Sequence, residues 1–326
     1  MKIDTCALPG DHDVIPIFRV WIVDIRCRFG NQSTSKPPLM GPWYDATSKR
    51  LGESKIQNLK SKISRHRPKL GQHFLHDQRY RDKILEELDL APDDVVIEIG
   101  PGRGAMTGLL ADRARQVIAV EVDRALAQRL EENYRDQPNV QIILADILRV
   151  DFAALCRQEA ITQAFVFGNL PYYITSPILH KLFQQRDSIR SMGLLMQREV
   201  AERLTAEPGT RDYGYLSIAT QIFSEPRIAV AVPPGAFSPA PKVQSSLVTF
   251  RMKAKFDQWS RDRGNEFLEF VKHCFAQKRK NMLNNLGGMY LRTRLIEAFE
   301  AAGKSANLRA EELSLDDFAT VFENLT

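Results

Sequence analysis

Val95-Val96-Ile97-Glu98-Ile99-Gly100-Pro101-Gly102-Arg103-Gly104-Ala105-Met106-Thr107 is the stretch that decides how this chain is read. Residues 95–99 form a short β-branched run, which predicts a strand in the core of a parallel sheet. A glycine turn follows without a break, and Leu109 and Leu110 continue it as a helix. Strand, glycine turn and helix is a geometry that holds a nucleotide-like ligand. Glycines let the backbone come close, and a helix start offers free N–H groups. The spacing here is Gly-x-Gly-x-Gly, whereas the phosphate-binding dinucleotide pattern is Gly-x-Gly-x-x-Gly.

A turn of this spacing with an acid before it, here Glu98, points to S-adenosylmethionine, which carries no phosphate. Downstream, Val117-Ile118-Ala119-Val120-Glu121 predicts a second strand ending in a carboxylate. Glu121 comes about 20 residues after the first glycine, the interval at which an acid accepts ribose hydroxyls. Val140 to Leu144 predicts a third strand, followed by Ala145-Asp146-Ile147. Asp146 has two readings: a partner for a cofactor adenine amino group, or a helix cap.

The fourth strand, Ala164 to Phe167, stops at Gly168 and delivers Asn169-Leu170-Pro171-Tyr172-Tyr173. Asn169 both donates and accepts hydrogen bonds. Pro171 fixes the backbone, and Tyr172 supplies an aromatic face. Together they suit a flat heterocycle carrying an amino group; the alternative is an ordinary Asn-x-Pro turn. Ser176 and Pro177 predict the cap and first residue of the next helix. Strands are expected at Met192 to Met196, Ile228 to Val232 and Ser246 to Phe250. Four prolines between Val232 and Val243 predict a stiff loop presenting Phe237 either to a stacked base or to the core.

Near Lys253 the pattern changes to helix only. Phe267, Phe270, Val271, Cys274 and Phe275 recur at helical spacing, Gly287-Gly288 breaks a helix, and Ser314 caps the last one. Lys278-Arg279-Lys280 suits RNA phosphates or is a solvated helix face. The expected organisation is residues 1–64 as an extension without regular structure or a mis-assigned start, 65–253 as a Rossmann-like α/β domain, and 254–326 as a helical RNA-binding domain.

Composition bounds the function. The chain has 326 residues, 44% hydrophobic and 26% charged, as in soluble globular proteins. No apolar run reaches the roughly 18 residues of a membrane span. Four scattered cysteines without a Cys-x-x-Cys pair point to a reducing, cytoplasmic setting and away from a zinc site. The formal net charge is +5, and the basic excess lies in residues 1–67. Any nucleic-acid surface therefore has to be built from local clusters.

Gly71-Gln72-His73-Phe74-Leu75, Glu98 to Gly104, Asn169-Leu170-Pro171-Tyr172, Gln197 to Arg203, Tyr213 to Ser217, Phe237 to Val243, Gln277 to Lys280 and Arg309 to Ser314 occur in this order. Together they resemble the ribosomal RNA adenine N6-dimethyltransferases, from about Arg67 to the C-terminus. The basic helical tail is most similar to the bacterial small-subunit branch, which dimethylates two adjacent adenines near the 3′ end of 16S rRNA. The resemblance implies an S-adenosylmethionine site at Gln72, His73, Leu75, Gly100, Gly102, Glu121, Val122, Asp146, Ile147 and Asn169. It implies catalysis by Asn169, the Leu170 or Pro171 carbonyl, Tyr172 and Phe237, with no metal. It implies RNA contacts by Arg198, Arg203, Tyr213, Lys242, Lys278, Arg279 and Lys280, and a monomer acting on the 30S particle or its precursor. His73 and Tyr173 depart from the family pattern, where Asn is frequent at both places. The rival readings are a 23S rRNA adenine methyltransferase, a ribosome-assembly factor without turnover, and a nicotinamide dehydrogenase; the glycine spacing disfavours the last.

Overall fold

The computed structural model describes residues 72–326. The expected extension over 1–64, the basic lead-in 65–70, Gly71, Cys6 and Cys27 lie outside the described residues. The elements run β1 (Phe74–Leu75), α1 (Gln78–Glu87), β2 (Val95–Ile99), α2 (Thr107–Ala111), β3 (Gln116–Glu121), α3 (Arg124–Asn133) and β4 (Val140–Leu144). They continue with α4 (Phe152–Gln158), β5 (Ala164–Asn169), α5 (Thr175–Gln184), β6 (Ile189–Gln197), α6 (Arg198–Leu204), α7 (Tyr215–Gln221), β7 (Ser224–Val232), β8 (Phe237–Ser238) and β9 (Ser245–Met252). After β9 every regular element is helical: α8 (Arg261–Cys274), α9 (Met282–Leu286), α10 (Arg292–Ala301) and α11 (Leu315–Leu325).

Seven strands form one sheet in the order β4-β3-β2-β5-β6-β9-β7. β2 pairs in parallel with β3 and β5, β3 with β4, and β5 with β6; β9 alone runs antiparallel, between β6 and β7. All five residues of β2 are buried, because β2 lies in the middle of a parallel sheet. From β2 the chain moves outward to β3 and β4 and then returns to β5 on the other side. The carboxyl ends of β2 and β5 therefore flank a topological switch point, where open α/β sheets bind ligands. Ile99 pairs opposite Gly168, so Gly100 and Asn169 leave adjacent strands at the same level.

β1 and β8 form a separate antiparallel ribbon, with Phe74 opposite Ser238 and Leu75 opposite Phe237. Neither strand was expected; two-residue strands leave no periodicity to read. Leu75 and Phe237 point inward and join a core with Ile84, Leu85, Phe167, Leu195, Val232 and Leu247. The helix after Asn169 also starts differently from the sequence expectation. Ile174 is at its cap position without a side-chain bond, and Ser176 and Pro177 lie inside its first turn. Proline is tolerated there because its N–H would have no helical partner.

The C-terminal helical subdomain is held by aromatic packing. Phe267 lies 5.1 Å from Trp259 and 5.5 Å from Phe322, and Phe275 lies 5.7 Å from Phe318. Each fully buried aromatic of this kind contributes about 1.5–3 kcal/mol. Ser314 caps α11 by accepting from the Asp317 N–H, while the Asp317 carboxylate accepts from the Ser314 N–H. The described residues, 72–326, belong to one compact unit. The segments before and after β9 are joined by bonds such as the Gly209 N–H to the Glu311 carbonyl at 2.7 Å and Arg261 to Asp187 at 2.6 Å.

Candidate active site

The switch point gathers residues from β1, β2, β3, β5 and the proline-rich loop. The glycine turn is left-handed at three places, Gly100 (φ 64°), Gly102 (φ 61°) and Gly104 (φ 80°), a conformation that other residues rarely adopt. At Gly102 a side chain is also excluded by space: a Cβ would stand 2.9 Å from the Phe74 ring. Arg103 covers the same ring, with its guanidinium 4.5 Å from the centroid. β1 is thereby packed against the turn.

Glu121 ends β3 with its carboxylate 1% exposed. Burying a carboxylate is costly unless it is hydrogen-bonded. Three backbone N–H groups meet that cost: Gly102 donates to Oε2 at 3.0 Å, and Val122 and Asp123 donate to Oε1 at 2.9 Å. Oε2 keeps a free lone pair for a ribose hydroxyl. Val122 beside it is 58% exposed and offers an apolar surface. Asp146 caps a single 3-10 turn, Oδ1 accepting from Leu148 N–H at 3.0 Å, and Ile147 after it is buried. The cap reading of Asp146 holds, and its Oδ2 makes no bond among the described residues. Burial pushes the Tyr173 phenol up, helped by the charges of Asp146 and Glu121. Tyr173 is 62% exposed.

Glu98, inside β2, was expected only as the acid preceding the turn. It is buried, accepts the Thr107 hydroxyl at 2.7 Å, and its carboxyl is pushed up to about 7 by burial, with the Glu121 charge adding and Thr107 opposing. A carboxylate in an otherwise apolar strand was the signal for this pair. Thr107 itself gave none.

Asn169 ends β5. Its Nδ2 stands 2.9 Å from the His73 carbonyl oxygen. A carbonyl only accepts, so the amide orientation is fixed and Oδ1 is directed elsewhere. Two atoms had been candidates for the second acceptor, the Leu170 and Pro171 carbonyls. The Pro171 carbonyl is saturated by the Ile174 N–H and the Thr175 hydroxyl, both at 3.1 Å. The Leu170 carbonyl accepts no bond among the described residues. Tyr172 is half-buried, which pushes its phenol up, and its hydroxyl is 2.8 Å from Ser245 Oγ. His73 stacks on it with ring centroids 5.6 Å apart and planes at 28°.

Two expected site residues are elsewhere. Phe237 is 3% exposed: pairing of β8 with β1 turns its ring into the core, and the solvent-reaching loop expected from the prolines presents Ser238 instead. Tyr213 is 1% exposed, meets Phe275 edge-on at 6.2 Å and has no partner for its hydroxyl, so it is a joint within the fold and not an RNA contact. The basic candidates divide in the same way. Arg198 pairs with Glu202 at 2.6 Å, Arg203 with Glu199 at 2.8 Å, and Lys278 donates to the Arg211 carbonyl at 2.7 Å. Lys242, Arg279 and Lys280 are exposed and carry no side-chain partner among the described residues.

S-adenosylmethionine fits these groups. The free lone pair on Glu121 suits its ribose, Asp146 Oδ2 suits its adenine amino group, and the glycine turn leaves room that side chains would fill. A Rossmann-like sheet with this site defines an S-adenosylmethionine-dependent methyltransferase acting on an amino group. Comparison with known proteins specifies it further. Residues 63–326 match the family model described as ribosomal RNA adenine dimethylase. The chain is 43% identical over 262 residues to the ribosomal RNA small subunit methyltransferase A of Acidobacterium capsulatum, covering 80% of this chain and 92% of that one. It is 41% identical to that of Koribacter versatilis, covering 79% and 93%. Among solved structures it is similar to the 23S rRNA methyltransferase ErmE, at 29% identity and a TM-score of 0.64, covering 77% of this chain and 99% of that one. A dimethyladenosine transferase from Plasmodium falciparum, at 22% identity and a TM-score of 0.64, shares the fold and covers 76% and 96%. The chain belongs to the ribosomal RNA adenine dimethylase family. Its reaction is S-adenosylmethionine-dependent dimethylation of adenine in ribosomal RNA. Among the described residues no helix is long and apolar enough to cross a membrane.

Proposed function

We propose that this chain dimethylates N6 of two adjacent adenines near the 3′ end of 16S rRNA, acting as a cytoplasmic monomer on the 30S particle or its precursor. The cofactor supplies an electrophilic methyl group. Gly100, Gly102, Glu121, Val122, Asp146 and Ile147 would hold it. The target adenine leaves its stack and lies on Tyr172. Asn169 Oδ1 and the Leu170 carbonyl accept the two N6 hydrogens. The N6 lone pair, otherwise delocalised into the ring, then points at the methyl group. Positioning of this kind supplies much of the acceleration. Lys242, Arg279 and Lys280, which have no side-chain partner among the described residues, would meet phosphates.

The observation that carries this reading is the fixed Asn169 amide, whose Nδ2 is spent on His73 and whose oxygen is left to accept. The test is methylation of undermodified 30S and 50S subunits with mapping of the labelled base. Label on two adjacent adenines near the 16S 3′ end is expected. Label on a single 23S adenine would instead assign the chain to the antibiotic-resistance type of enzyme.

A further inference from the structure

β9 reaches further than the strand whose end carries Asn169. Asn169, the last residue of β5, pairs with Leu195 of β6, and Leu195 pairs with Leu247 of β9. Ser245 lies two residues beyond Leu247, opposite Gln197 and Val232, and therefore on the same face of the sheet. At that level β5 has already given way to the turn of residues 169–172. Ser245 is 1% exposed. On this face β9 next buries Leu247, so the serine is a polar group at a core position, and a buried hydroxyl needs a partner.

Tyr172 is that partner. Its hydroxyl is 2.8 Å from Ser245 Oγ, and neither hydroxyl has another hydrogen bond among the described residues. Pro171 restrains the backbone just before the tyrosine, but the ring still has a choice of staggered χ1 wells. Its hydroxyl sits at the far tip of the ring, where a single bond has the most leverage over that choice. Ser245 is a firm anchor, with a short side chain on a strand paired on both sides. The bond thus selects one well and spans from the turn after β5, across β6, to β9.

We propose that Ser245 is a positioning residue for methyl transfer: from β9 its hydroxyl holds the Tyr172 ring in place, and through that ring the target adenine, so that the amino group meets Asn169. This rests on the reading that residues 169–172 hold the target adenine. Ser245 acts through the Tyr172 hydroxyl alone. Loss of either hydroxyl therefore has the same consequence, and loss of both adds nothing.

Ser245→Ala breaks the bond from one side, Tyr172→Phe breaks it from the other while keeping the ring, and the double variant removes both hydroxyls. Each is measured by single-turnover methylation with saturating undermodified 30S subunits, by calorimetric titration with S-adenosylmethionine, and by urea denaturation. Cofactor Kd is expected close to native throughout, which also shows that each variant is folded. Each single variant is expected to slow transfer by on the order of 10-fold, less than the roughly 10²-fold of a 1 Å misplacement, because the ring itself remains. The double variant is expected to be no slower than either single one, as for two residues that share one interaction. A brace that served stability alone would lower the unfolding midpoint and leave the saturated rate native, and that result would overturn the proposal. Losses that multiply in the double variant, or a loss confined to cofactor affinity, would also overturn it. Tyr172→Phe leaves β9 intact, so a native rate in that variant would overturn it even if Ser245→Ala failed to fold. Native turnover in Asn169→Ala would instead sink the underlying reading of the base turn, whatever Ser245 does.

Discussion

The two halves of the site are built by different means. The cofactor half is local: Glu121 is held by its next two residues and by Gly102, and Asp146 by a bond two residues on. The base half is assembled from distant segments. Asn169 bonds a residue 96 positions away, Tyr172 one 73 away, and His73 one 166 away. Local bonds make the first half a property of the strand ends themselves. The second half exists only when β1, β5, β9 and the proline-rich loop have come together, so it depends on the core beneath them.

Phe237 gives the hardest test of that difference. As part of the core under the base half, Phe237→Ala should lower unfolding stability by about 3–5 kcal/mol, measured by urea denaturation. A ring that served only to stack on the substrate would leave stability unchanged and reduce turnover alone.

Glu98 tests the cofactor half. Its carboxyl is held up to about 7 in the folded chain against an ordinary 4.5. Between these values the folded state keeps a proton that the unfolded chain has released. The stability it contributes is full below about 4.5 and is lost as pH rises through about 7. The difference corresponds to about 3 kcal/mol. Glu98→Gln, which can still accept from Thr107, should therefore match the native chain at pH 4 and exceed its stability by about 3 kcal/mol at pH 8. Parallel denaturation curves at the two pH values check this, and a constant offset would contradict the pKa assignment.

Legibility followed the same division. The strand order needs long-range pairing, but β2, β3 and β5 and their ends were readable because a buried parallel strand is a continuous apolar run bounded by a turn, and β4, only partly buried, is still mostly apolar. Glu121 and Asn169 end such runs. Ser245 and Thr107 are ordinary residues whose roles come from what folding places beside them. Phe237 was left with two readings, of which the core one holds, because proline content describes the stiffness of a loop and says nothing of which face meets the core. Tyr213 was misread because an aromatic among polar residues looks exposed until a second segment, here the one bearing Phe275, covers it.

Smaller effects sharpen the contrast between surface and joint in the RNA-facing region. Arg279→Gln and Lys280→Gln should each reduce the slope of log affinity for rRNA against log salt by about 1. Tyr213→Phe removes a buried hydroxyl without a partner, so stability should stay level or rise by about 1 kcal/mol and the salt slope should not move. A fall in the slope for Tyr213→Phe would restore it to the RNA surface.

The most direct measurement is on Asn169→Ala, with S-adenosylmethionine affinity and methyl transfer to 30S subunits determined on the same preparation. Binding close to native, with transfer reduced on the order of 10²–10³-fold, is the result expected if the two halves are separate and Asn169 orients the adenine amino group. Native transfer, or loss of cofactor binding in step with transfer, would contradict it.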